Sequence, residues 1–286
     1  MNDIGVVFPQ TEIGSTATAV RTYSSGVEEL GFAHVMVYDH VVGADPDVHQ
    51  PWTGPYDVHT TFHEPFVLFG FLAGLTSLEV VSGIIILPQR QTALVAKQAA
   101  EVDVLTGGRF RLGVGVGWNA VEYEALGQSF TNRGARMDEQ VALLRRLWTE
   151  VSVTHHGEFE RVTGAGLSPL PVQRPIPIWM GGQSEPAYRR IGRRADGWFP
   201  EGPPSEEFEH AQEVIGEAAR GADRDPSNIG VHGRVRWSAD GANRVVDDIG
   251  RWRDAGASYV SIDTMKHSFA TAEDHLEALA AVAAAL

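Results

Sequence analysis

A regular alternation of short apolar runs with helix-forming stretches limits the fold of this chain more than any other feature. Eight β-rich runs occur, and each is followed by a helical pattern. The predicted strands are Ile4–Phe8, His34–Tyr38, Val80–Ile86, Phe110–Val116, Ile176–Met180, Asp196–Pro200, Ile229–Trp237 and Tyr259–Asp263. Their apolar residues run continuously, which is typical of strands that are buried on both faces of a parallel sheet.

Eight strand–helix units in 286 residues predict an α/β fold of the (β/α)8 type, a TIM barrel with insertion loops. An open doubly wound sheet is the alternative, but it normally has about five or six strands. Because no linker or tandem repeat divides the chain, we predict a single domain over residues 1–286. Two segments interrupt the pattern: a long polar loop at Val41–His63, and an insertion at Val151–Val162 that is predicted to form a hairpin.

Charge and residue types exclude several classes of function. Acidic residues number 37 and basic ones 23, a net charge of −14, so nucleic acids and anionic membranes are not expected as partners. Because cysteine is absent, these residues form no disulfide, thiolate metal site or cysteine nucleophile. No basic-then-apolar leader and no run of about 18 apolar residues occur, so a cytoplasmic location is expected.

The stretch Gly107–Asn119, GGRFRLGVGVGWN, places glycines at the end of the fourth predicted strand. Gly115 and Gly117 belong to a G-x-G-x-x-A pattern that resembles a dinucleotide-binding loop. Such a loop follows the first strand, however, and an acid ends the next strand about 20 residues later, whereas here the acid at that distance falls in a predicted helix. The glycines therefore favour tight packing between strands, or the approach of a cofactor to Val116, Gly117 and Trp118 at the barrel mouth.

Asp39 and His40 follow the second strand, so both are predicted to lie at the mouth. A histidine titrates near neutral pH, which suits it to proton transfer, although a loop-capping aspartate beside an exposed histidine is an equally plain interpretation.

Four residues after the fifth strand precede a predicted helix and could present an anion site: Gly181, Gly182, Gln183 and Ser184. Ser184 could equally be an ordinary N-cap. His59, His63 and Glu64 lack the H-E-x-x-H order, so no metal site is predicted.

Four segments taken together resemble the bacterial luciferase-like superfamily, and within it the branch of coenzyme F420-dependent oxidoreductases. In chain order they are GFAHVMVYDH, the run GIIILPQRQTALVAKQAAEVDVLTGGRFRLGVGVGWNAVEYEALG, RGARMDEQVALLRRLW and PIPIWMGGQSEPAYRRIGRRADGWFP. The resemblance covers nearly the whole chain and is most specific from Leu87 to Gly127.

The resemblance implies a flavin or deazaflavin in the barrel mouth. Its phosphate would lie on Gly181–Ser184, and its ring would lean on a bulge in the third strand, where a non-prolyl cis bond is expected between Gly83 and Ile84. Asp39 and His40 would contact the ring edge. His40 would handle the proton, with Asp39 orienting either His40 or the ring.

The function implied is F420-dependent hydride transfer to or from a small organic substrate. The alternative is an FMN-dependent two-component monooxygenase that uses O₂; a separate flavin or F420 reductase would then be a partner, and the family often forms homodimers. Phe8 and the Val41–His63 loop would cover the site. Some relatives that act on sugar phosphates have a glutamate where this chain has Trp118, so a sugar-phosphate substrate is not expected and the pocket wall should be more apolar. A flavin-binding protein without catalysis is disfavoured because the mouth residues are retained.

Overall fold

Eight parallel strands close into a barrel in this computed structural model, which describes Met1 and residues 3–286. The strands in chain order are β1 (Ile4–Val7), β2 (His34–Val37), β3 (Glu79–Ser82) continued by β4 (Ile85–Ile86), β5 (Phe110–Gly115), and, after the two-stranded insertion β6 (Val153–His156) and β7 (Arg161–Ala165), β8 (Ile178–Gly181), β9 (Gly197–Phe199), β10 (Gly230–Arg236) and β11 (Tyr259–Asp263). The sheet runs β3-β2-β1-β11-β10-β9-β8-β5, and a direct β3–β5 pairing closes it. The predicted TIM barrel is confirmed.

A helix follows each barrel strand and covers the outside of the sheet. The helices are α1 (Ala17–Glu29), α2 (Pro65–Ala73), α3 (Thr92–Thr106), α4 (Ala120–Ala125) with α5 (Arg133–Thr149), α6 (Glu185–Arg194), α7 (Glu206–Arg220), α8 (Ala242–Asp254) and α9 (Ala272–Ala285). Capping residues mark several starts: Thr16 accepts from the Ala19 N–H at 3.2 Å, and Thr271 forms a capping box with Asp274.

The third predicted strand is the main correction to the sequence-based boundaries. Val80–Ile86 is not one continuous strand, because the β-structure is interrupted between Ser82 and Ile85. The Gly83–Ile84 bond is cis, as expected. The segment on each side of this break pairs with β5, so the break is a bulge at the mouth end of the strand.

Two further boundaries differ slightly from those predicted from the sequence. The fifth barrel strand begins at Ile178 rather than Ile176, because Pro175 and Pro177 have no backbone N–H to donate to a sheet. The predicted hairpin over Val151–Val162 is confirmed as β6 and β7 and extends to Ala165.

The core lies between the barrel and its helices, with a smaller apolar cluster inside the barrel: Val7, Met36, Val81, Trp179, Phe199 and Met265. Phe8 is fully buried and packs edge-on against Tyr23, with ring centroids 5.4 Å apart. It is therefore a core residue, and it also packs edge-on against His63 at the end of the Val41–His63 loop, with ring centroids 6.0 Å apart. Among the described helices none has both the length and the apolar character needed to cross a lipid bilayer.

Candidate active site

The predicted site residues lie at the C-terminal mouth of the barrel, at the ends of four neighbouring strands. Asp39 and His40 follow β2, the Gly83–Ile84 bulge joins β3 to β4, Val116–Trp118 follow β5, and Gly181–Ser184 follow β8. This is the end of a (β/α)8 barrel that carries active sites.

Asp39 is 4% exposed, and both of its carboxylate oxygens are used. Oδ1 accepts from the Arg90 guanidinium at 2.8 Å, and Oδ2 accepts from the Ile86 N–H at 3.3 Å. Burial raises the pKa of Asp39, while Arg90 and the Ile86 N–H oppose that rise. Asp39 thus ties the end of β2 to β4, and it is Arg90 and Ile86, rather than the His40 ring, that its carboxylate contacts.

His40 is held by an acid on one side and by aromatic rings on the others. Its Nδ1 lies 3.4 Å from Glu122 Oε2, and 11% of its side chain is exposed. The rings of Tyr56, Phe62 and Trp118 pack edge-on against it, with centroids 5.0, 4.7 and 5.7 Å away. A cavity of about 190 Å³ reaches His40 from the Val41–His63 loop side and connects it to solvent.

Glu122 is a buried acid beside His40 to which the sequence motifs assign no role. It is 1% exposed, and its carboxylate accepts from the Gln89 side chain at 3.1 Å and from the Val41 N–H. Burial alone would raise the pKa of Glu122, but the hydrogen bonds from His40 and Val41 outweigh it and lower that pKa below its ordinary value. The group beside His40 is therefore a carboxylate anion.

One feature of the sequence indicates that Glu122 lies near the mouth. Glu122 stands in the first turn of α4, the short helix that starts directly after the mouth end of β5. Asn119 caps that helix by accepting from the Val121 N–H at 3.1 Å. An acid in this position is stabilised by the helix N-terminus and faces the mouth region. No comparable sequence pattern predicts that Arg90 contacts Asp39.

The glycines of β5 make room for the bulge of the third strand. A Cβ on Gly115 would meet Ile84 Cδ1 at 1.9 Å, and one on Gly117 would meet Ile86 Cγ2 at 2.7 Å. Gly117 also has φ +65°, a conformation that favours glycine. The packing interpretation of these glycines is therefore correct, and Ile84 is the residue that they bring to the mouth.

Trp118 is 40% exposed and forms one wall of the mouth together with the Val41–His63 loop. Its ring packs against Trp52, with centroids 5.7 Å apart, and lies over Gly54, where a Cβ would come within 2.5 Å of it. The loop therefore folds back over His40 and Trp118 with its aromatic side chains inward.

The segment Gly181–Ser184 has the donors that a phosphate requires. The N–H groups of Gln183, Ser184 and Glu185 have no hydrogen-bond partner within the described part of the chain, and the Ser184 hydroxyl makes no capping bond. Gln183 and Ser184 are exposed at the N-terminus of α6, which attracts anions. These residues fit a phosphate-bearing cofactor.

Metal-binding geometry is not seen at His59, His63 and Glu64. Met1 and residues 3–286 contain no cluster of three or more His, Asp or Glu side chains arranged to hold a metal ion. The Glu64 carboxylate instead accepts from Arg90 at 3.0 Å and from the Val67 N–H at 2.8 Å, which starts α2.

Comparison with known sequences assigns the chain to a family. Residues 4–285 match the model of the luciferase-like monooxygenases. An uncharacterized protein of Mycobacterium tuberculosis is 36% identical over 188 residues, a match that spans 65% of this chain and 65% of that protein.

Two relatives with named activities differ in their cofactor. An F420-dependent glucose-6-phosphate dehydrogenase of Segniliparus rotundus is 32% identical over 62% of this chain and 51% of its own length. An FMNH₂-dependent dimethylsulfone monooxygenase of Pseudomonas putida is 33% identical over 53% of this chain and 42% of its own length.

Solved structures have the same fold at low sequence identity. An F420-dependent secondary alcohol dehydrogenase superposes with a TM-score of 0.78 at 19% identity, covering 98% of this chain and 99% of the other. A monooxygenase from Streptomyces bottropensis gives 0.77 at 19% identity, covering 99% and 98%.

Proposed function

We propose that this protein, which belongs to the luciferase-like monooxygenase family, is an F420-dependent oxidoreductase that transfers a hydride to or from a small organic substrate. The observation that carries the proposal is His40 at the barrel mouth, next to the buried Glu122 carboxylate. Hydride exchange between an alcohol and a carbonyl group also moves one proton, and His40 is placed to give or accept it.

Cofactor binding is assigned to two parts of the mouth. The free N–H groups of Gln183 and Ser184 and the Ser184 hydroxyl would hold the phosphate. The half-buried Ile84 at the bulge would support the ring. F420 when bound supplies the ring carbon that exchanges the hydride, while the protein contributes orientation and electrostatics.

The substrate side of the mouth is lined by aromatic rings. Trp118, Tyr56 and Phe62 surround His40, and Trp52 supports Trp118 from the loop. These side chains give the substrate side of the mouth an apolar surface, which favours an apolar substrate. The Trp118 side chain cannot act as an acid, so His40 is the group assigned to exchange the proton with the substrate.

An FMN-dependent monooxygenase that uses O₂ is the second candidate. The Pseudomonas putida relative favours it, since that enzyme is named for its use of FMNH₂. In this case a separate reductase would supply reduced flavin, and the aromatic enclosure of His40 would shelter the oxygen chemistry from water. The same phosphate loop would serve either cofactor.

A binding titration separates the two candidates. We expect F420 fluorescence to be quenched on binding at micromolar concentration. Ser184→Ala should weaken the binding about tenfold, because one hydrogen bond to a charged group is lost. Thr149→Ala, at the exposed C-terminal end of α5 on the opposite face of the barrel, is the control and should bind F420 as the wild type does. Tight binding of FMN without binding of F420 would overturn the first assignment.

We also propose that the chain forms a homodimer through α2 and α3. Four apolar side chains on these helices are solvent-exposed in the monomer: Val67 by 73%, Phe71 by 37%, Leu94 by 53% and Leu105 by 54%. Exposed apolar patches of this kind mark interfaces. Light scattering after size exclusion should show a dimer that Val67→Glu converts to monomer; a monomeric wild type would contradict this.

A further inference from the structure

We propose that Glu122 is the positioning residue for His40: it fixes the tautomer of the imidazole and stabilises its protonated form. The inference rests on the proposed function, because it concerns how His40 exchanges a proton. It adds a residue from the helix after β5 to a site otherwise assigned to strand ends and the loop after β2.

The carboxylate of Glu122 is itself held in place from three directions. Its Oε1 accepts from the Val41 N–H and, at 3.4 Å, from the Val42 N–H, both in the loop after β2. Its Oε2 accepts from Gln89 at 3.1 Å and lies 3.4 Å from His40 Nδ1. A carboxylate that is 1% exposed and bound by several donors has little freedom to rotate, so it presents a fixed acceptor to the imidazole.

This arrangement determines which ring nitrogen carries the proton. An ionised carboxylate can only accept hydrogen bonds, so His40 must carry a proton on Nδ1 to bond with Glu122. Nε2 is then the nitrogen that exchanges a proton with the substrate. The logic is the same as in other catalytic histidines that a carboxylate orients.

Other charged groups around His40 are neutralised or lie farther away. Asp39, the preceding residue, is paired with Arg90 at 2.8 Å. Asp57 lines the small cavity beside His40, and its Oδ1 accepts from the His59 N–H at 2.8 Å and from the Thr60 hydroxyl. Within the described residues, Glu122 is the one carboxylate at ion-pair distance from His40, so it dominates the field at the ring.

The proton balance of the step follows from this geometry. If the substrate is an alcohol, bound F420 would accept the hydride from its C–H bond, and the hydroxyl proton would pass to His40 Nε2. The imidazolium that forms is stabilised by the Glu122 carboxylate and loses its proton to solvent through the cavity of about 190 Å³. Carbonyl reduction runs through the same steps in reverse.

The test compares Glu122→Gln with Glu124→Gln, which makes the same charge change at an exposed position two residues along α4. Nitrogen-15 NMR of the histidine rings reports the tautomer and titration of His40 directly in the protein without cofactor, with His40→Ala identifying its signals. We expect the wild type and Glu124→Gln to carry the proton on Nδ1. Glu122→Gln should show mixed tautomers, because the side-chain amide can either accept from the Nδ1–H or donate to Nδ1.

Kinetics supply the second readout. Glu122→Gln should lower kcat about 10- to 100-fold with little change in KM, and it should move the low-pH limb of kcat/KM to lower pH. Circular dichroism checks that the variant is folded. Identical His40 tautomer and titration in Glu122→Gln and wild type would overturn the inference. Altered NMR signals in a protein that turns over with neither F420 nor FMN would instead leave the inference standing and refute the proposed function.

Discussion

Histidines occupy both ends of this barrel, and their surroundings are opposite in charge. At the N-terminal end of the barrel, called the floor here, His34 and His232 are 0% and 1% exposed. Each places its Nε2 2.8 Å from the Ser261 hydroxyl. The Arg111 guanidinium lies 3.2 Å from His232 Nδ1. At the open mouth, His40 instead faces the Glu122 carboxylate.

The partner decides where the proton sits and whether a second one can be added. Arg111 can only donate, so His232 must accept at Nδ1 and carry its proton on Nε2. Burial, reinforced by Arg111, lowers the pKa of His232 and of His34 well below the ordinary value. A histidine beside a buried cation stays neutral, whereas one beside a carboxylate with access to solvent is suited to proton transfer.

The comparison assigns stability to one end of the barrel and chemistry to the other. Residues at the N-terminal face of a (β/α)8 barrel serve stability, and those at the C-terminal face carry the reaction. Variants at the two ends should therefore differ in what they change, and each prediction below tests that division.

Arg111→Met should have the largest effect on stability. Arg111 makes a bidentate pair with Glu79, at 2.7 and 2.9 Å, and its guanidinium lies 3.7 Å from the centroid of the Tyr259 ring. Removing it leaves Glu79 and His232 without their partner, so we expect a loss of about 3–5 kcal/mol in the free energy of unfolding, measured in urea. The control Arg244→Met breaks an exposed pair with Asp248 and should cost less than about 1 kcal/mol. Equal losses would contradict the assigned role of the floor.

His40→Ala should show the reverse pattern. We expect turnover to fall about 10²- to 10⁴-fold, since one acid–base group is lost, while the free energy of unfolding falls less than in Arg111→Met, because Glu122 keeps its Gln89 and Val41 donors. Steady-state kinetics and urea unfolding on the same sample measure both, and cofactor titration should give wild-type affinity. If turnover survives, the proton is handled by another group.

The sequence was most informative about regular features. Apolar runs and turn residues predicted eight strands, their parallel packing and the ends that meet at the mouth, because these depend on short-range patterns. The cis bond at Gly83–Ile84 was also expected, through the resemblance of motifs.

Contacts between distant positions escaped the same reasoning. Val41 and Glu122 are 81 residues apart, and His34 and Ser261 are 227 apart, yet each pair is hydrogen-bonded. Spacing along the chain carries no information on such pairs, and only barrel closure brings them together. The resemblance places Asp39 at the ring edge, and nothing in the sequence connects it to Arg90.

The pH dependence of stability provides a third test of this division, and it concerns the floor. Since His34 and His232 stay neutral in the fold while histidines of the unfolded chain titrate near about 6.5, acid favours unfolding. The free energy of unfolding should therefore be flat above about pH 7 and fall as the pH drops below about 6.5. His275, whose pKa burial lowers to about 4, adds to the same slope. His34→Gln, which can still bond to Ser261, should make the slope between pH 6.5 and 5 shallower in denaturant unfolding; an unchanged slope would show that His34 does not contribute.

Two glycines at different heights in β5 offer the finest test of the division. A Cβ on Gly113 would meet the Ser82 carbonyl oxygen at 1.9 Å, and backbone can give way only by distorting the sheet. On Gly115 the Cβ would meet the end of the Ile84 side chain, which can rotate. Gly113→Ala should therefore cost about 2–3 kcal/mol of stability, and Gly115→Ala about 1 kcal/mol. Because Ile84 would move at the bulge assigned to the ring, Gly115→Ala should weaken cofactor binding more than its small stability loss suggests. Paired urea unfolding and fluorescence titration measure the two effects, and a Gly115→Ala protein with wild-type affinity would remove Ile84 from the cofactor site.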